Sequence, residues 1–215
     1  MSWTLPQRLY LLSYHGEKGR LDLASVLVRG QLMRAAAVAE LAIGGQLVDQ
    51  GGKAGRVPGR PAPEDPFLAD VLEYVSPDKP RRWFTVVDHR WAKAESTVKD
   101  QLAGNGTITV GKGKALGLIP VEEITLGNPH EVTGLRETTR NAVLLGRDPA
   151  TVPADEAALA LFAAEGDVGS VFTHKERSRH KGEFKALAKQ FDATVPGVRK
   201  ALQLSIATRR GAAAG

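Results

Sequence analysis

The chain has 215 residues, 42% of them hydrophobic, and a formal net charge of +5. That is enough apolar material to bury one sizeable core, as a single domain or a tightly fused pair, and too much for a disordered chain. With no cysteine it can form no disulfide, cysteine-ligated zinc site, iron–sulfur cluster or thiol nucleophile, which excludes several enzyme classes.

Leu5, Leu9 and Leu12 follow Thr4, a cap candidate, at helical spacing, so residues 4–14 are expected to form a first helix ending near Gly16. Residues 21–43 carry Leu21, Leu23, Val26, Leu27, Leu32, Val38, Leu41 and Ile43 and close at Gly44-Gly45. They predict one long or broken central helix, apolar on several sides, whose Ala35-Ala36-Ala37-Val38-Ala39 tract lets neighbours approach closely. Two short extended pieces, 46–49 and 56–58, flank a Gly-rich turn, and a Pro-rich loop leads to Asp65-Pro66. That dipeptide opens a helix with Phe67, Leu68, Val71, Leu72 and Val75 inward. Residues 82–87 add aromatic bulk, and 91–102 form a further helix ended by Gly104-Asn105-Gly106. Residues 107–119 are the one convincing hairpin, with a turn at Gly111-Lys112-Gly113-Lys114. Helices near 130–145, 153–165, 168–191 (interrupted) and 195–209 complete a mainly α chain, a helical bundle with a small β excursion.

The positive charge is unevenly spread. Residues 174–210 carry ten Lys or Arg, Lys175, Arg177, Arg179 and Lys181 among them, against three acids, so this basic C-terminal third is +7 and the remainder of the chain −2. Such asymmetry points either to an anionic partner, phospholipid or nucleic acid, or to solvated helix faces. Phe184, Leu187 and Phe191 are expected to face the core, with Lys181, Lys185 and Lys189 on a separate stripe. Trp3, Trp83 and Trp91 are read as core or core-edge aromatics.

Motifs for catalysis and metal binding do not emerge. The five histidines are scattered apart from His174 and His180, with no His-Glu-x-x-His or nucleophile elbow around them. Gly111-Lys112-Gly113-Lys114 lacks the spacing of a phosphate loop. Glu122-Glu123 and Asp155-Glu156 are adjacent pairs that point to different faces. The expectation is a binding protein without cofactor or metal. Residues 1–8 lack the basic-then-apolar order of an export signal, and no apolar run reaches 18 residues, so the cytoplasm is the expected compartment.

Four segments in order resemble the Golgi phosphoprotein 3 family. They are Leu5-Pro6-Gln7-Arg8-Leu9-Tyr10-Leu11-Leu12 with Glu17 to Leu21; Arg34 with Val38 to Leu47, similar to the family's Glu-Leu-Ala-Leu signature; Asp65 to Leu72; and Leu135-Arg136 through Asp148-Pro149 with Ala157 to Leu161. The resemblance implies a single domain over 1–215: a helical core bundle wrapped by amphipathic helices and loops, with one small β-hairpin used for membrane contact or self-association. It also implies phosphoinositide binding, through a Trp and three Arg in the eukaryotic members. Arg34 matches one of those arginines. The Trp position falls near Ala24 or Ser25 and the other two arginines near Ala92 and Glu95, so Arg90, Lys93 and Lys99 are the nearby substitutes.

The resulting expectation is an adaptor docking on anionic phospholipid at the inner face of the membrane. Its headgroup residues would be Arg34, Arg90, Lys93 and Lys99, its membrane hairpin Leu116, Leu118 and Ile119, and its basic patch Lys175, Arg177, Arg179 and Lys181. Each Lys or Arg near an anionic membrane contributes about 1 kcal/mol. The alternative for Arg34 is an arginine snorkelling from a helix surface or core edge, and for the hairpin leucines it is packing on the body. Membrane-protein tails and a second copy bound through the hairpin are further partners to consider. Nucleic acid ranks last, because no recognition helix accompanies the cations.

Overall fold

A computed structural model describes residues 3–16, 19–115 and 119–214, and over these the chain is mainly α, with ten helices and three small antiparallel sheets. Helix α1 (Leu5–Leu12) starts where expected, and Gln7 reaches back to accept from the Thr4 N–H at 3.2 Å. Its next free donor, the Leu5 N–H, gives a 2.6 Å bond to Glu40. This carboxylate, on central helix α2 (Arg29–Ile43), fixes α1 to α2 and satisfies a donor the helix start leaves open. Strands β1 (Tyr14–His15) and β2 (Arg20–Leu21) pair between the two helices.

Helix α2 is buried along nearly its whole length. Its alanines let α1, α7 (Ala154–Glu165) and α10 (Val198–Ala214) close in on it. So do α3 (Pro66–Glu73), α4 (Trp83–Asp88) and α5 (Trp91–Gly104). Gly30 is required for one of these approaches, since a Cβ there would lie 2.3 Å from the Trp91 carbonyl oxygen of α5. The helix is shorter than expected. Residues 23–28 form turns, because the Asp22 carboxylate accepts from the Ser25 N–H and the Asp22 carbonyl is taken by the Arg29 guanidinium, so local polar bonds replace another helical turn.

Strands β3 (Leu47–Asp49) and β4 (Lys53–Arg56) form a second hairpin, which β5 (Arg81–Arg82) extends to three strands in the order β3-β4-β5. The 107–119 hairpin is therefore not alone among the described residues, and it is longer than expected. Strand β6 (Ile108–Ala115) pairs with β7 (Ile119–Leu126) in a register that sets Ile108 opposite Leu126 and Val110 opposite Ile124. Gly111 to Lys114, expected to turn, are strand residues paired with Glu123 to Pro120. Ile108 and Ile124 root the hairpin in the core, and the Ile124 N–H donates to the Gly19 carbonyl.

Helix α6 (Pro129–Leu144) and a short 3-10 turn (Pro149–Thr151) precede α7. Residues 168–172 are not helical, and α8 (His174–Arg179) and α9 (Lys181–Thr194) follow. Thr173 and Glu176 cap α8 reciprocally, and α9 lies against α7 and α6. Leu187 and Phe191 are buried, Phe184 is half-buried, and Phe162 and Phe191 meet edge to face. Trp83 is buried and donates to Asp49, while Trp3 and Trp91 sit at the core edge. Among the described residues no helix is long and apolar enough to cross a membrane.

Candidate functional site

A cleft of about 560 Å³ opens between α2, α3 and α5. Arg34 is at its floor. The side chain leaves the buried face of α2 and is 1% exposed; its Nε donates to the Val86 carbonyl at 3.1 Å and its Nη1 to Asp70 of α3 at 3.3 Å. Its Nη2 is buried without an acceptor. Burial pulls the guanidinium below its ordinary pKa, and Asp70 opposes that shift. Arg34 is thus neither a surface residue nor a snorkelling one, but a buried charge whose nearest carboxylate is shared with the cleft.

Arg90 caps α5 in the left-handed conformation, φ 50°, which a side chain larger than glycine's adopts at a cost of about 1–2 kcal/mol. This sends its largely exposed side chain over the cleft, where Nη1 lies 3.3 Å from the second Asp70 oxygen. Lys93, one turn further, is exposed on the same rim and has no ion pair among the described residues. The cleft therefore gathers three cations, Arg34, Arg90 and Lys93, against two carboxylates, Asp70 and Asp100. Beside it His89 stacks on Tyr74 at 3.6 Å, and Arg81 lies 4.2 Å from the same ring. Burial, then the charges of Arg34 and Arg90, hold the His89 pKa below its ordinary value.

Lys99, expected in this group, is elsewhere. It points to the hairpin and holds Glu122 at 2.7 Å, because the second strand brings Glu122 over α5. Leu116 and Leu118 lie outside the described residues, and of Ile119 the backbone pairing with Ala115 is described.

The C-terminal cations form a separate group. Arg177 is bound to Asp167 at 2.8 Å and to the Phe172 carbonyl; Arg199 grips Glu165 and Asp192; Arg210 also reaches Asp167. Lys175, Arg179, Lys181, Lys185, Lys189 and Lys200 have no ion pair among the described residues. Helix α9 packs on α7 and α7 on α2, so its lysines are removed from the cleft by two helices. Arg209 is the exception that touches α5, stacking 4.7 Å from the Trp91 ring centroid.

Sequence reasoning brought Arg34, Arg90 and Lys93 together and missed Asp70 and Asp100. One signal was available for Asp70: an arginine on an alanine-rich buried helix needs a carboxylate, and the Asp65-Pro66 helix supplies one on its polar face. The model of one protein family, described as Golgi phosphoprotein 3 (GPP34), matches residues 5–204, and no curated protein matches the chain. The match takes in α1, the buried α2 with Arg34 and Glu40, the cleft helices and the hairpin, and the chain belongs to the Golgi phosphoprotein 3 family.

Proposed function

We propose that the protein is a peripheral membrane protein that takes an anionic phospholipid headgroup into the α2–α3–α5 cleft and works by binding, without catalysis. The observation that carries this reading is the buried Nη2 of Arg34, a charged donor without an acceptor at the floor of a cleft rimmed by Arg90 and Lys93. Leaving such a donor unsatisfied costs about 1–3 kcal/mol, and a phosphate oxygen is the acceptor that best matches a guanidinium. Membership of the Golgi phosphoprotein 3 family supports the same class of ligand.

Asp70 already answers both arginines, so a phosphate has to compete with it or share them. The expected binding is therefore moderate, salt-sensitive and governed by charge more than by headgroup identity. The hairpin is a second membrane contact in this reading, and the inner face of the membrane is the expected location.

Co-sedimentation with phosphatidylcholine vesicles, with and without a phosphorylated phosphoinositide or phosphatidylserine, tests it. Binding should appear with acidic lipid, fall with salt, and drop about tenfold or more for Arg90→Glu with Lys93→Glu. Equal retention on neutral vesicles, or no loss in the double variant, overturns the reading.

A further inference from the structure

Away from the cleft, a groove of about 920 Å³ runs between α9 and the C-terminal end of α7. Its floor is apolar: Leu161 and Ala188 are nearly buried, and Ala164 and Phe184 half-buried. Arg177 closes one end and Arg199 the other, each neutralised by carboxylates of the protein itself. Three lysines of the lining, Lys181, Lys185 and Lys189, have no ion pair among the described residues. The groove is apolar inside and its unmatched charge is one cationic stripe.

Four-residue steps place those lysines on one line along α9, each about 6 Å beyond the last by the rise of an α-helix. A second helix laid alongside, with carboxylates every three or four residues, meets the stripe turn for turn. Its apolar side faces Leu161, Phe184 and Ala188. Gly182, whose missing Cβ would meet nothing within 4 Å, and the exposed Ala186 leave the groove wall low enough for a helix backbone to come close. A bilayer surface satisfies the lysines but is too flat to reach the floor, and an acyl chain lying in so open a groove stays half in water.

We propose that the α9 groove is a docking site for an acidic amphipathic helix of a partner protein. This site is independent of the headgroup cleft, and it makes the protein able to hold a protein segment and a membrane at once.

The test uses the full chain and a fluorescein-labelled synthetic helix of about 14 residues, four turns, with Leu or Phe on one face and Glu at three- and four-residue spacing beside it. Fluorescence anisotropy should show saturable, salt-weakened binding, lost when the Glu are replaced by Gln. Lys181→Glu with Lys185→Glu and Lys189→Glu should weaken it by about tenfold or more. Ala164→Gln, which fills the floor without changing charge, should weaken it by about threefold or more. Folding of each variant is checked by circular dichroism, and Lys200→Glu, outside the lining, serves as a charge control expected to leave binding unchanged. No binding by the unaltered chain overturns the proposal. So does equal binding by the triple variant. If acidic vesicles are held by the three lysines while Ala164→Gln changes neither vesicle nor peptide binding, the stripe is a membrane contact and the proposal falls.

Discussion

Asp70 stands between two arginines, one oxygen 3.3 Å from the buried Arg34 and the other 3.3 Å from the exposed Arg90. A single carboxylate thus occupies the anion position of the cleft. Replacing it with Asn should move stability and binding in opposite directions. Arg34 loses its counter-charge, and since Asp70 is half-exposed the cost should fall below that of a fully buried pair, about 1–3 kcal/mol. Arg90 and Arg34 become available to a phosphate, so retention on acidic vesicles should rise several-fold. Thermal denaturation and co-sedimentation of Asp70→Asn check the two halves.

Arg90 keeps a left-handed backbone that glycine would adopt freely. Arg90→Gly is expected to raise unfolding stability by up to about 1 kcal/mol while weakening acidic-vesicle binding. A variant that is destabilised would show that the side chain's contact with Asp70 outweighs the backbone strain.

Gly30 lies where α2 crosses the start of α5. A methyl group there meets the Trp91 backbone carbonyl, which no side-chain rotation can move aside. Gly30→Ala should therefore cost roughly 1–3 kcal/mol by urea titration, although alanine is the better helix former. An unchanged midpoint would mean that α5 can shift at little cost.

Acid should weaken the docking of α8. The Arg140 guanidinium, followed by the Thr173 cap bonds, holds the Glu176 carboxyl down at about 2 from an ordinary 4.5, against some desolvation. With the folded pKa depressed, the stabilisation is complete above about 4.5 and is lost as pH falls from there to about 2. Glu176→Gln should be less stable than the unaltered chain at neutral pH and approach it near pH 2 in denaturant titrations. Parallel curves across that range would remove Glu176 as the source.

The parts of the fold visible in the sequence were those fixed by neighbours in the chain. Thr4, Asp65-Pro66 and the Gly44-Gly45 stop placed helix ends correctly because capping is settled within a few residues. The start of α2 was misplaced because Leu23, Val26 and Leu27 have helical spacing yet stay exposed on turns that Asp22 and Arg29 enforce. Gly111 to Lys114 has the composition of a turn, but pairing with the acidic strand beyond it extends the hairpin through those residues. Arg34 was readable through its family position, and Arg90 and Lys93 only as cations near two family positions that this chain fills with Ala92 and Glu95. That Lys99 belongs to Glu122, and Arg199 to Glu165 and Asp192, depends on contacts between distant segments that no local pattern reveals.

The alanine tract of α2 has a consequence for how this protein can vary. Interiors ordinarily diversify by trading a bulky residue for a lighter one and letting neighbours settle, but Ala35, Ala36, Ala37 and Ala39 have almost nothing to give up. The one change left open is enlargement, and with six helices leaning on the same rod, an added methylene displaces more than one of them. Novelty is pushed outward, to faces such as the lysine-edged α9, where a new side chain meets water first.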